Sequence, residues 1–226
     1  MRPTLPSWYE STLRYTFDAG APLYAWATAQ AVWRRNSAEM AMVLPDTPQL
    51  RVLDLGTGPG ISIIGMHDRR PDAWYVGLDI AGKMLEEAQR RMTQQGLPTC
   101  LLQADATRIP LGDSTVDAVT GHSFLYLLPE PVPVLQEVRR VLRPGGKAIF
   151  MEPCQGPVEW SKLLWNHWRD GRYLLTMMGW SLLSRVEGRY DRARFEREAN
   201  AAALRPEQAQ PLLYGLGLLL SATVPP

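Results

Sequence analysis

Cysteine is scarce in this sequence, net charge is almost absent, and no long apolar run interrupts it. Two cysteines, Cys100 and Cys154, cannot make a disulfide framework, and no C-x-x-C or paired His/Cys spacing suggests zinc. A reducing compartment and no metal are expected. With 24 basic residues against 23 acidic ones, the formal charge of +1 gives no field that would gather a polyanion, so nucleic acid is not an expected partner. The roughly 20 consecutive apolar residues of a spanning helix occur nowhere, and Met1–Glu10 lacks the apolar core of a signal peptide. The expectation is therefore a soluble, cytoplasmic chain with no membrane span. There is no internal repeat and no low-complexity segment. A chain of 226 residues suits one α/β domain with a buried core and an elaborated cap better than two independent domains.

What the sequence does contain is Arg51-Val-Leu-Asp-Leu-Gly-Thr-Gly-Pro-Gly60, a short apolar strand running into three glycines at alternate positions and then into a helical run. Glycine permits tight turns, positive φ and close approach of main chain to a ligand, so Gly56, Gly58 and Gly60 read as a cofactor cradle. A dinucleotide fingerprint would read G-x-G-x-x-G. This loop reads G-x-G-x-G, with Asp54 two residues before its first glycine.

Strands and helices alternate after that point. Val52–Leu55, Trp74–Asp79, Cys100–Asp105, Val116–Thr120 and Lys147–Met151 read as five strands, with helices over 61–69 and 82–95 and a third bearing Val134, Leu135, Val138, Val141 and Leu142. Met84, Leu85, Ala88 and Met92 form one stripe on the second of these, and Arg143-Pro-Gly-Gly146 ends the third. Such alternation implies a doubly wound, mostly parallel sheet, in which ligands sit beyond the carboxyl ends of the strands. The expected organisation is an N-terminal helical cap over 1–47, with a helix from about 8 to 44, and a cofactor-binding α/β core over 48–153. An apolar cap insertion follows over 154–190, then C-terminal helices and a final strand over 191–226. Within the last part, a charged helix near 191–203 precedes a further helix after Pro206 and a strand over 216–224. Little chain remains to build any further strand. Trp8, Trp26 and Trp33 lie early, and Trp160, Trp165, Trp168 and Trp180 late, around a middle that holds only Trp74.

The glycine loop resembles the first motif of the class I S-adenosylmethionine-dependent methyltransferases, and Asp54-Leu-Gly-Thr-Gly58 matches it closely. The resemblance spans about 48–153. Its later part, Leu135 to Lys147, is similar to small-molecule methyltransferases of the ubiquinone-biosynthesis type. What it implies is a Rossmann-like fold with a helical cap and S-adenosyl-L-methionine as cofactor. Asp54, Gly56, Thr57, Gly58 and Gly60 would then lie around the methionine end. Asp79 would take both ribose hydroxyls, Asp105 the adenine amino group, the Ala106 amide the ring, and Ile80 the face of the base. Read alone, Asp79 is equally a helix N-cap, and Asp105 reads more readily as a cap than as a ligand.

His122 follows the fourth strand, where it would stand near the transferred methyl. It is the candidate general base and a candidate cofactor contact, with packing or backbone capping as its plain alternative. His67 and His167 are weaker candidates, and Tyr9, Tyr15, Tyr24 and Tyr126 could line an acceptor pocket. Pro153-Cys-Gln155 copies the nucleophile motif of DNA cytosine-C5 methyltransferases but follows the fifth strand rather than the fourth, so Cys154 reads as an ordinary thiol. The expected activity is in-line methyl transfer to an apolar or aromatic small molecule. A non-catalytic cofactor-binding or assembly protein and a protein or RNA methyltransferase are the alternatives. Trp160–Trp180 reads as a cap over the site, or else as buried core or the contact of a homodimer.

Overall fold

The computed structural model describes residues 31–98 and 100–225. The expected helix from about 8 to 44 lies largely outside these residues, as do Trp8, Trp26, Tyr9, Tyr15 and Tyr24. Its described end is α1, Ala31–Ala41.

Among the described residues seven strands form one sheet: β1 Arg51–Leu55, β2 Trp74–Asp79, β3 Leu101–Gln103, β4 Val116–His122, β5 Leu142–Pro153, β6 Arg205–Leu212 and β7 Gly217–Thr223. Their order is β3-β2-β1-β4-β5-β7-β6. The first five run parallel, while β7 is antiparallel to both of its neighbours. The helices are α2 Ile61–His67, α3 Gly82–Gln94, α4 Pro131–Val141, α5 Trp160–His167, α6 Gly171–Glu187 and α7 Arg192–Ala201.

Period-two alternation explains why both faces are covered. Leu53, Leu55, Val119, Phe150 and Leu220 pack with α4 and with Phe195 and Ala199 of α7. Val52, Ala118, Ile149, Met151 and Leu219 face the other way, against Met40 of α1, Ile63, Ile64 and Met66 of α2, and Met92 of α3. Strand order reverses between β1 and β4. The crevice that binds ligands in such sheets therefore opens beside the glycine loop.

Two expectations need correction. The segment after Pro206 is strand β6, not a helix, and the sheet has its seventh strand. Pro206 and Pro211 look like breakers in sequence, yet β6 is the outermost strand, where a residue without an N–H costs little. The described β7, buried along its whole length, lies between β6 and β5. In addition β5 begins at Leu142, so Arg143–Gly146 belongs to the strand, with a register shift against β4 between Val116 and Ala118.

Helices α1 and α2 touch through backbone. A Cβ added at Gly65 would lie 2.3 Å from the Arg34 carbonyl oxygen and 2.9 Å from Ser37 Cβ. Gly65→Ala is thus expected to destabilise the fold by about 1–3 kcal/mol through overpacking. A thermal melt followed by circular dichroism checks this, and an unchanged midpoint would mean the helices separate at no cost.

Candidate functional site

The site is built from the carboxyl ends of β1, β2, β3 and β4. The turn after β1 places Gly56, Gly58 and Gly60 at φ of 60°, 51° and 80°. At Gly56 a Cβ would lie 2.5 Å from Phe124 Cδ2, so only glycine lets the aromatic ring close over the turn. At Gly60, Met92 Cε and Ala88 Cβ stand 3.1 and 3.2 Å from the same notional atom, which lets α3 pack against the loop.

Two carboxylates hold the turn. Asp54 is wholly buried and accepts hydrogen bonds from the hydroxyls of Ser62 and of Thr120, the latter at 2.7 Å. It thereby ties β1 to α2 and to β4. Asp79, at the end of β2, accepts from the Gly58 amide at 2.8 Å and the Ala81 amide at 2.9 Å. Burial raises the pKa of both acids against these donors.

Beyond the turn lies a cleft whose empty space, part of it open to solvent, is about 780 Å³. Gly56, Gly58, Asp79 and Ile80 form one wall; Ala104, Asp105 and Ala106 form another; Ser123, Phe124, Leu127 and Leu128 close it from the β4 side. Asp105 also caps the short turn Ala106–Arg108, accepting from the Thr107 amide at 2.8 Å and its hydroxyl at 2.6 Å.

Of the residues singled out from sequence, Gly56, Gly58, Asp79, Ile80, Asp105 and Ala106 share this cleft. Asp54 and Gly60 stand behind it as supports. Thr57 packs its methyl toward Gly77 of β2 and donates its amide to Leu78. His122 is the last residue of β4 rather than the first after it, and it does not line the cleft. Its ring meets Trp33 of α1 edge-on, with centroids 5.4 Å apart, and Trp33 meets Trp180 of α6 in the same way at 5.3 Å. Trp33 Nε1, His122 Nε2 and Trp180 Nε1 are buried without hydrogen-bond partners among the described residues.

Burial pushes the His122 imidazole down to about 4. The unfolded chain, with an ordinary histidine near 6.5, then binds the extra proton between those values, so stability is full above about pH 6.5 and falls as pH drops toward 4. His122→Phe should remove up to about 3 kcal/mol of that acid-side loss. Urea unfolding at pH 4.5 and pH 7 reads the difference, and an acid slope identical to that of the parent would place the titration elsewhere.

The other candidates fall away from the cleft. His67 ends α2 near Tyr75. His167 stacks on Tyr173 at 4.2 Å, and its Nε2 lies 3.3 Å from the Tyr214 hydroxyl. Tyr126 is buried. Cys154 is buried too, and burial raises its thiol pKa, the reverse of what a thiolate nucleophile requires.

Sequence reasoning missed Glu152. This fully buried carboxylate near the end of β5 accepts from the amides of Phe124 at 3.2 Å, Leu125 at 2.9 Å and Tyr126 at 3.2 Å. It therefore anchors the segment that closes the cleft from the β4 side. A lone acid ending an apolar strand, as Asp54 and Asp79 also do, was the available signal.

Residues 52–146 match a methyltransferase domain family. Over these residues the chain carries a methyltransferase domain. A demethylmenaquinone methyltransferase from Thermus thermophilus is 38% identical over 120 residues, covering 53% of this chain and 53% of that protein. A malonyl-[acyl-carrier protein] O-methyltransferase from Dechloromonas aromatica is 33% identical over 160 residues, covering 71% of this chain and 56% of that protein. The chain spans about half the length of the curated relatives it matches. A SAM-dependent methyltransferase from Aquifex aeolicus shares the fold with a TM-score of 0.63 at 16% identity, covering 98% of this chain and all of that one.

S-Adenosylmethionine is the cofactor of this domain, and the cleft has the chemistry to take it. Its wall offers carboxylates at the ends of β2 and next to β3, apolar cover from Ile80, Leu127 and Leu128, and a buried Ser123 hydroxyl with no hydrogen-bond partner among the described residues.

Proposed function

We propose that this chain transfers a methyl group from S-adenosylmethionine to an apolar or aromatic small molecule. The observation that carries the reading is the convergence of Asp79, Asp105 and the glycine turn on one apolar-walled cleft. Asp79 has one oxygen on the Gly58 amide and the other on the Ala81 amide, and each keeps a lone pair for a ribose hydroxyl. Asp105 takes the adenine amino group, while Ile80 and Leu128 cover the base. When bound, the cofactor supplies an electrophilic methyl on a sulfonium sulfur. The chain's own part is to orient the acceptor and exclude water, for which effective molarities correspond to about 7–11 kcal/mol in well-aligned intramolecular models.

The acceptor would enter on the β4 side of the cleft, past Phe124 and Leu127. An aromatic and apolar wall of this kind suits a flat, apolar molecule. The name of the demethylmenaquinone methyltransferase relative supports an aromatic, apolar acceptor of this kind. Burial holds the His122 imidazole down to about 4, so it is neutral at neutral pH but too weak a base to take a proton readily from a hydroxyl acceptor.

One observation favours a second reading. His122 is sealed under Trp33 and lines no part of the cleft, as in a protein that binds cofactor without turning it over. Calorimetry with S-adenosylmethionine, followed by assay of S-adenosylhomocysteine formation with naphthoquinols and phenols, separates these readings. Binding with turnover supports methyl transfer. Binding without turnover on any acceptor supports the second reading, and no binding at millimolar cofactor removes both.

A further inference from the structure

From Trp160 to Glu187, through α5, α6 and the turn between them, the chain carries Lys162, Arg169, Arg172 and Arg185 against Asp170 and Glu187, with Lys162 paired to Glu159, although the whole sequence is only +1. The remainder is therefore net negative. A surplus of two positive charges lies over α5, α6 and the turn that joins them.

The same helices hold most of the exposed large apolar side chains among the described residues. On α5 and just after it, Leu164, Trp165 and Trp168 are exposed, Trp165 to 83% and Trp168 to 67%. On α6, Leu175, Met178 and Leu182 recur at i, i+3 and i+7 with Leu183 beside them, all exposed. Opposite this stripe, Tyr173, Met177 and Trp180 are buried with Trp33 and Leu163. Helix α6 is thus apolar on both sides, with one side packed on the protein and the other in solvent. Monomeric soluble proteins rarely leave such a contiguous patch uncovered.

We propose that the outer face of α5 and α6 docks on a bilayer containing anionic lipid. Three features favour a membrane over a second copy of the chain. Trp165 and Trp168 are side chains of the interfacial type, apolar with a polar edge, and the Arg169 guanidinium lies 4.7 Å from the Trp168 ring centroid, so a cation sits beside the apolar tip. The surplus of basic residues, Arg169 beside Trp168 among them, suits lipid phosphates. An isologous dimer through this face would instead bring the same arginines together. Among the described residues no helix is long and apolar enough to cross a membrane, so the attachment is to the surface. This inference uses no residue of the cleft and stands apart from the methyl-transfer reading. The two meet in that a surface-docked cap would face the phase in which an apolar acceptor dissolves.

The test is flotation of the full chain with vesicles of phosphatidylcholine alone and of phosphatidylcholine with 30% phosphatidylglycerol. Binding to the anionic vesicles, weakened at least tenfold by 0.5 M NaCl and again by the pair Trp165→Glu and Trp168→Glu, is the expected result. Leu182→Glu serves as a second variant on the other helix, and unchanged cofactor affinity in either variant shows that it is folded. Failure of the folded parent to float with anionic vesicles overturns the proposal. So does a dimer, seen by light scattering, that Leu182→Glu splits.

Discussion

Asp79→Ala is expected to weaken S-adenosylmethionine binding by two to four orders of magnitude. The carboxylate is placed to accept two charge-assisted hydrogen bonds, each worth about 1.5–3 kcal/mol, and a tenfold change in affinity is about 1.4 kcal/mol. The change also frees the buried amides of Gly58 and Ala81, to which the side chain is bonded at 2.8 and 2.9 Å. Some loss of stability must accompany it. Asp79→Asn keeps the shape and one acceptor, and should show most of the affinity loss with less of the thermal loss. Titration calorimetry on both variants, beside thermal melts, gives the comparison. Affinity equal to the parent's in both would remove Asp79 from the site.

Glu152→Ala is expected to cost more stability than any other single change proposed for the cleft. It strands three amide N–H groups, two of them at buried residues, and each unsatisfied donor costs about 1–3 kcal/mol. Phe124, Leu127 and Leu128 would be released from the cleft wall, so cofactor affinity should fall together with the melting temperature. The native residue adds a pH signature. Burial pushes its carboxyl up to about 8, against an ordinary value near 4.5, so the folded state holds a proton that the unfolded state has lost. Stability from this group is full below about pH 4.5 and declines as pH rises through 8. Glu152→Gln should flatten that alkaline decline, and melts from pH 5 to pH 9 decide it. An unaltered slope would mean that another group titrates.

The two acids show what could be read from sequence. Asp79 ends a strand of alternating pattern, 25 positions after Asp54 and followed by a helical stripe, so both its place and its neighbours were legible. Glu152 has no such neighbours. Its partners are main-chain amides, which every residue possesses, and only folding brings the turn after β4 within reach. The glycine loop was legible for a related reason, since its conformation needs glycine wherever the chain goes next. The stack of His122, Trp33 and Trp180 was not, because three side chains from β4, α1 and α6 meet there with no spacing rule between them. The strand at β6 was misread because its prolines carry opposite meanings at the centre and at the rim of a sheet.

The place of β7 bears on how the molecule is made. The long strand β5 finds its outer partner only in Gly217–Thr223, with Lys147 opposite Thr223. During synthesis its unpaired rim must wait on the ribosome until that late hairpin emerges, and an interrupted or truncated product would expose it to neighbouring chains. Yield of such shortened products should depend on chaperone capacity more than on cofactor supply.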